Sequence, residues 1–189
     1  MNFLEFQLQT VVKFLSAQKI KYVILGGIAA SIYGEPRLTA DIDISIILDK
    51  DKISEFLIQA KRYNIHPSLP NIKKIARKTG ILPMHLRKRG TIGRLDIIIA
   101  ENILEYTAIK RGRLRKINSI KARIISPEDL IIHKITSSRP RDLEDLRGIL
   151  IRQKGKLDIR YIQEWLKKID KVSKETALYK LFKRLLKES

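Results

Sequence analysis

Cysteine is absent from the chain, which excludes disulfides and any thiolate metal centre. Any bound metal must therefore be held by oxygen or by histidine. The absence also agrees with a cytoplasmic location. Long apolar runs are missing too: stretches such as residues 97 to 100 fall far short of the about 20 residues a membrane span needs. The opening MNFLEFQLQTVVKFL has no basic region ahead of an apolar core, so it reads as a first helix and not as a signal peptide. No internal repeat and no low-complexity linker interrupts the 189 residues, a length that suits one domain or one compact core with a small appendage.

Acidic residues are the other shortage. Twenty Asp and Glu face thirty-nine Lys and Arg, giving a formal charge of +19 and a pI near 10.2. A field of that sign favours polyanionic partners, nucleic acid first and an anionic membrane surface a distant second. The charged surface of a thermophile would enrich Glu alongside Lys, which this balance does not.

What is present is a strand-helix rhythm. Apolar residues at mostly helical spacing predict an amphipathic helix over residues 3 to 18, followed by a short strand, KYVIL, at 21 to 25. Gly26 and Gly27 end that strand, and IAASIYG reads as a short helix stopped by Gly34. A second strand is expected over 40 to 48, a helix over 53 to 62, and two strands over 81 to 88 and 93 to 99, joined by a turn at 89 to 93. RLRKI and ARIIS suggest a further pair. Beyond Ser126, which can cap, and Pro127, which suits a first helical position, the texture becomes helical, with Pro140 ending the first helix, RPRDLEDLRGILI starting another and two more after Gly155. The expectation is an α+β core over residues 1 to 125 and a helical region over 126 to 189.

The chemistry concentrates in YVILGGIAASIYGEPRLTADIDISII. Alternate strand residues share a face, so Asp41 and Asp43 project together while Ile42, Ile44 and Ile46 face the core. Two carboxylates spaced about 7 Å apart along a strand can share hard cations that keep sites open for phosphate oxygens. The bland alternative is a capped strand end. The diglycine just ahead allows close backbone approach, and a helix N-terminus behind it presents free N–H groups to an anion; it is equally an ordinary strand-to-helix turn. Lys134 falls within an apolar stripe of Leu130, Ile131, Ile135 and Ser138, where a lysine either snorkels or functions. Asp142 and Asp145, behind Pro140, suit the dipole of a helix start. His66, His85 and His133 show no metal-ligand spacing and read as structural or surface residues.

The order strand, Gly-Gly, short helix and Asp-x-Asp strand in LGGIAASIYGEPRLTADIDISI resembles the nucleotidyltransferase superfamily that shares its catalytic core with DNA polymerase beta. Within it, GGIAASIYGEPRLTADID and SPEDLIIHKITSSRPRDLEDL are most similar to the abortive-infection, AbiEii-like enzymes and their short relatives, over roughly residues 20 to 150. The resemblance implies a mixed sheet flanked by helices. It implies that Asp41 and Asp43 bind metal, two Mg²⁺ ions in all, and that Asp96 in GRLDIII is the third carboxylate, beside the acceptor hydroxyl. Gly26 and Gly27 then form the phosphate turn, with Ser31 standing in for the hydroxyl often found where Gly27 lies. Arg37 and Thr39, in an Arg-x-Thr-x-Asp approach, become nucleotide contacts, and Lys134 faces the cleft, with Asp142 and Asp145 in support.

The implied activity is transfer of an NMP from an NTP to a hydroxyl, with release of pyrophosphate and RNA such as tRNA as the acceptor. The basic segments NIKKIARK, HLRKRG and IKRGRLRK would cradle that RNA, and the relatives suggest a toxin-antitoxin or phage-defence role. Nucleotidylation of a protein partner, or a non-catalytic nucleic-acid-binding or antitoxin-like module, are the alternatives. A pure binder of polyanions gains nothing from three acids in its cleft. CCA addition is disfavoured, because GGIAAS lacks that family's arginine after the diglycine and no Arg-Arg-Asp template motif is found.

Overall fold

Helical periodicity at the start of the chain produces α1 (Phe3–Ala17), closed at its N-terminus by a capping box between Asn2 and Glu5. Its apolar stripe buries Leu8, Val11, Phe14 and Leu15. The computed structural model describes residues 2–88, 90–137, 139–173 and 177–189. Contacts divide the chain into two compact units, residues 1–28 with 38–125, and residues 29–37 with 126–189.

The first unit is built on a seven-stranded mixed sheet of β1 (Tyr22–Leu25), β2 (Asp41–Ile46), β3 (Ile65–Pro67), β4 (Ile81–Lys88), β5 (Thr91–Ile99), β6 (Arg113–Ile117) and β7 (Ile120–Ile124). Its order is β3-β4-β5-β2-β1-β7-β6, with β2 parallel to β5, β1 parallel to β7 and the remaining pairs antiparallel. Period-two alternation sorts the residues by face. Ile42, Ile44 and Ile46 of β2, Leu82 and Leu86 of β4, and Leu95 and Ile97 of β5 are all fully buried. Phe14 of α1 meets Phe56 of α3 (Ile53–Lys61) edge-on at 5.2 Å. The unit also contains α4 (Ile72–Thr79) and α5 (Ile103–Arg111).

Three local outcomes differ from the sequence expectations. The helix after β1, α2 (Gly26–Tyr33), begins at the diglycine itself. β5 starts at Thr91, so the hairpin turn is shorter than residues 89 to 93; Arg89 lies outside the described residues. Gly93 belongs to the strand for a packing reason, since a Cβ there would lie 2.4 Å from Gln7 Oε1 and 2.7 Å from Phe3 Cε1. Gln7, fully buried, in turn donates to the Arg94 carbonyl at 2.6 Å. Finally, β3, α4 and α5 have no counterpart in the sequence reading.

The second unit carries α6 (Pro127–Ser137), α7 (Pro140–Arg152), α8 (Ile159–Ser173) and α9 (Ala177–Glu188). α6 packs against α7, α8 and α9, and α8 against α9, around Ile131, Ile135, Leu146, Ile149, Ile162, Leu166, Phe182 and Leu185. Ser126 caps α6 as expected: its Oγ accepts from the Asp129 amide at 3.1 Å and donates to Asp129 Oδ2 at 2.6 Å. Asp170 accepts from the amides of Leu178 and Tyr179, setting a negative charge at the start of α9. Ser138, expected in the Lys134 stripe, lies outside the described residues. Among the described residues no helix is long and apolar enough to cross a membrane.

Candidate active site

The carboxylates stand where β2 and β5 run side by side. In this parallel pair Asp43 is the register partner of Asp96, and Asp41 that of Arg94. Partners across a ladder share a face, and so do residues two apart, so Asp41, Asp43 and Asp96 all project from the side opposite the isoleucine core. Farther along the same side of β2, Ser45 is buried, whereas Asp41 and Asp43 are only half-buried. The acids thus occupy the open end of the strand.

Asp43 has a second neighbour. Leu25 pairs with it across β1, and Gly26 follows at once with φ +63°, in the left-handed region. A Cβ on Gly26 would lie 1.8 Å from Asp43 Oδ2 and 2.6 Å from its Cγ. The carboxylate therefore lies against the glycine Cα, and both backbone and contact require glycine there.

Arg94 was not anticipated from sequence, although GRLDIII repeats the two-residue spacing of the Asp-Ile-Asp. Its Nε lies 2.9 Å from Asp41 Oδ1. Thr39 donates its hydroxyl to the Asp41 carbonyl at 3.2 Å, fixing the strand entry. Burial, and then the charge on Asp41, push the Asp96 carboxyl up, with Arg94 partly offsetting them. Among the described residues no group of three or more histidine, aspartate or glutamate side chains is arranged as a metal cage. The donor set nonetheless fits a hard cation: it is all carboxylate oxygen, and the charges of Asp41 and Asp96 repel one another, a repulsion that Arg94 offsets only in part.

Of the remaining predicted residues, Gly27 lies in the first unit and the others gather in the second. Lys134, 5% exposed, places its ammonium 2.6 Å from Asp142 Oδ1 and 2.7 Å from Asp145 Oδ2. Arg37 donates to the same Asp145 through Nε at 2.7 Å and Nη2 at 2.9 Å, a bidentate pair. Ser31 Oγ donates to the Arg37 carbonyl at 3.1 Å, and Gln153 to the Tyr33 carbonyl at 2.8 Å. Burial opposes ionisation of Asp142 and Asp145, but hydrogen bonds from Lys134 to both, from Ser137 to Asp142 and from Arg37 to Asp145 outweigh it and hold both carboxyls below the usual range. Lys134 therefore does not snorkel, and Asp142 and Asp145 do more than complement a helix dipole: they are its counter-ions.

The mixed sheet with adjacent acids on neighbouring parallel strands agrees with the resemblance to nucleotidyltransferases drawn from the sequence. Residues 6–185 match the family described as "nucleotidyltransferase of unknown function (DUF6036)", and the chain belongs to that family. No curated protein matches it. Among solved structures it is similar to an antigenic nucleotidyltransferase-like protein from Paracoccidioides brasiliensis, with 20% identity and a TM-score of 0.56 over 87% of this chain and 86% of that one. It is also similar to the antibiotic-resistance factor ANT(2'')-Ia, at 11% identity, TM-score 0.59 and coverages of 88% and 92%. A third is the lincosamide antibiotic adenylyltransferase LnuA, at 14% identity, TM-score 0.53 and coverages of 77% and 95%. These likenesses are likenesses of fold.

Proposed function

We propose that this nucleotidyltransferase moves an NMP from an NTP to a hydroxyl of RNA, with tRNA the leading candidate, and releases pyrophosphate. The observation that carries the reading is the register pairing of Asp43 with Asp96, with Asp41 on the same open face. Asp41 and Asp43 would hold Mg²⁺, with Asp96 completing a two-ion site. Bound there, Mg²⁺ would lower the pKa of the acceptor hydroxyl and neutralise charge on the phosphates.

The chain's own groups supply the rest. The acceptor oxygen attacks the α-phosphorus, the bond from that phosphorus to the bridging oxygen breaks, and pyrophosphate takes the bonding pair. Asp96, on the same open face as Asp41 and Asp43, would take up the acceptor's proton at a carboxylate oxygen. Gly26 and Gly27 open α2 and would form the phosphate turn, while Gly26 leaves the space that Asp43 occupies. Lys134 and Arg37, with cationic heads committed to Asp142 and Asp145, fix the segment 31 to 37 that leads along the chain to Thr39 and Asp41.

The names of the antibiotic-modifying structures set a rival acceptor, a small antibiotic. The charge favours RNA, because residues 73 to 123 hold fifteen Lys and Arg against three acids. The likeness to abortive-infection enzymes makes a toxin or phage-defence role in the cytoplasm the matching biological setting. Incubation with each labelled NTP, Mg²⁺ and total RNA or lysate tests the proposal. Label on RNA supports it, whereas label on protein selects nucleotidylation of a protein partner. Absence of label on any acceptor, small antibiotics included, leaves only a non-catalytic module.

A further inference from the structure

The face that carries the carboxylates continues past them to the edge of the sheet. His66 of β3 pairs with His85 of β4, His85 with Arg94 of β5, and Arg94 with Asp41 of β2. Direct partners share a face, so these four residues form one row across four strands. The next row is Pro83, Asp96 and Asp43. The opposite face of the same strands is core, with Ile65, Leu82, Leu86 and Leu95 fully buried.

The row is ordered at its outer end. Arg87 Nε donates to His85 Nε2 at 3.1 Å, which leaves the ring proton on Nδ1, 3.2 Å from Ser68 Oγ. The rings of His66 and His85 lie 5.8 Å apart between centroids, tilted by 33°. Arg87, Arg94 and Ile92 beside them are exposed. The face therefore carries rings on β3 and β4, guanidiniums on β4 and β5, and carboxylates on β5 and β2.

We propose that this face of β3, β4 and β5 is the track along which the hydroxyl-bearing end of a single-stranded RNA reaches the carboxylates. This rests on the RNA-acceptor reading above. Imidazole rings and guanidinium planes are stacking partners for unpaired bases, and arginines pair with phosphates. The charge gradient sets the direction. Phosphates are attracted over Arg87 and Arg94 and repelled by the carboxylates, so the strand presents its uncharged hydroxyl end to Asp41, Asp43 and Asp96. A cationic small molecule would meet the opposite preference.

The test is binding of a fluorescent single-stranded RNA of about 12 nucleotides, within the range one such surface covers, followed by anisotropy in EDTA across a salt series. The double variant His66→Ala/His85→Ala binds about tenfold more weakly or worse, and Arg87→Ala lowers the salt slope by about 0.7, the value for one phosphate contact on a single strand. His66→Ala alone leaves the contacts among Arg87, His85 and Ser68 in place and gives the reading should the double variant unfold, as melting curves will tell. Lys167→Ala/Lys183→Ala, on α8 and α9, is the comparison for general electrostatics. If the parent binds and labels RNA while the histidine and Arg87 variants bind as the parent does, or no worse than the lysine variant, the track is overturned and the RNA activity stands. If the parent neither binds nor labels RNA, the acceptor reading itself fails and the track falls with it.

Discussion

The Asp43 carboxylate rests against the Cα of Gly26 so closely that a methyl there would sit 1.8 Å from Oδ2. Gly26→Ala therefore carries two penalties. Its φ of +63° costs an alanine about 1 to 2 kcal/mol, and the clash moves the carboxylate. A displacement of about 1 Å in a phosphoryl-transfer site costs about 100-fold in rate. Single-turnover labelling should fall by that factor while thermal melting shows a folded, modestly destabilised protein. Unchanged labelling would remove Asp43 from the chemistry.

Asp43→Asn separates charge from shape, because the amide keeps the volume that abuts Gly26. Transfer should drop to background. In EDTA the melting temperature should hold or rise, since one member of a repelling cluster has been neutralised. The parent's melting temperature should rise with Mg²⁺ by linkage, and the variant's should rise less or not at all. Equal Mg²⁺ responses would exclude Asp43 as a ligand.

Asp96 provides an electrostatic check. Its carboxyl is raised by burial first and by Asp41 second. Asp41→Asn deletes the second cause and frees Arg94 to act on Asp96, so the Asp96 midpoint in a carbon-detected NMR titration should move down. A raised carboxyl contributes stability below its unfolded value and loses it as pH rises through the folded one. An unmoved midpoint would mean that the two carboxyls do not interact.

Much of this site was legible because β2 states its geometry in one dimension. Asp-Ile-Asp in an isoleucine run fixes which side is core, and the buried Ile42, Ile44 and Ile46 follow from period two alone. Arg94 was less visible, as its meaning depends on β2 and β5 lying parallel in register, which no local pattern encodes. The row of histidines was hidden for the same reason: His66 and His85 are 19 positions apart and become neighbours only through the β3–β4 pairing. α4 escaped because basic residues crowd IKKIARKT and its helix starts behind Asn71 in a left-handed conformation instead of a conventional cap. The partners of Lys134 come from a different helix, so a stripe on α6 offered snorkelling or function and could not show its counter-ions.

Gly93 tests a reading of glycine as a packing device. Gly93→Ala should displace the end of Gln7, which is buried and bonded to the Arg94 carbonyl. Overpacking of this kind costs about 1 to 3 kcal/mol. Gln7→Ala in the same chain should recover part of the lost melting temperature, a non-additivity expected of residues in contact. Strict additivity of the two changes would mean that α1 and β5 do not meet there.

Lys134 separates a structural lysine from a nucleotide-binding one. Lys134→Met keeps the apolar stem but leaves Asp142 and Asp145 facing no ammonium, and breaking a buried ion pair on one side costs about 3 to 5 kcal/mol. Melting should therefore fall sharply at neutral pH. Asp142 and Asp145, whose folded carboxyls are lowered, contribute stability above their ordinary value near 3.8 and lose it as pH falls through the folded values. Lys134 is among the causes of both shifts, so the variant's melting temperature should depend less on pH in that acid range than the parent's. Transfer per folded molecule, measured below the variant's melting temperature, should change far less than stability does. A variant that melts like the parent yet loses kcat/KM would instead place the ammonium on the triphosphate.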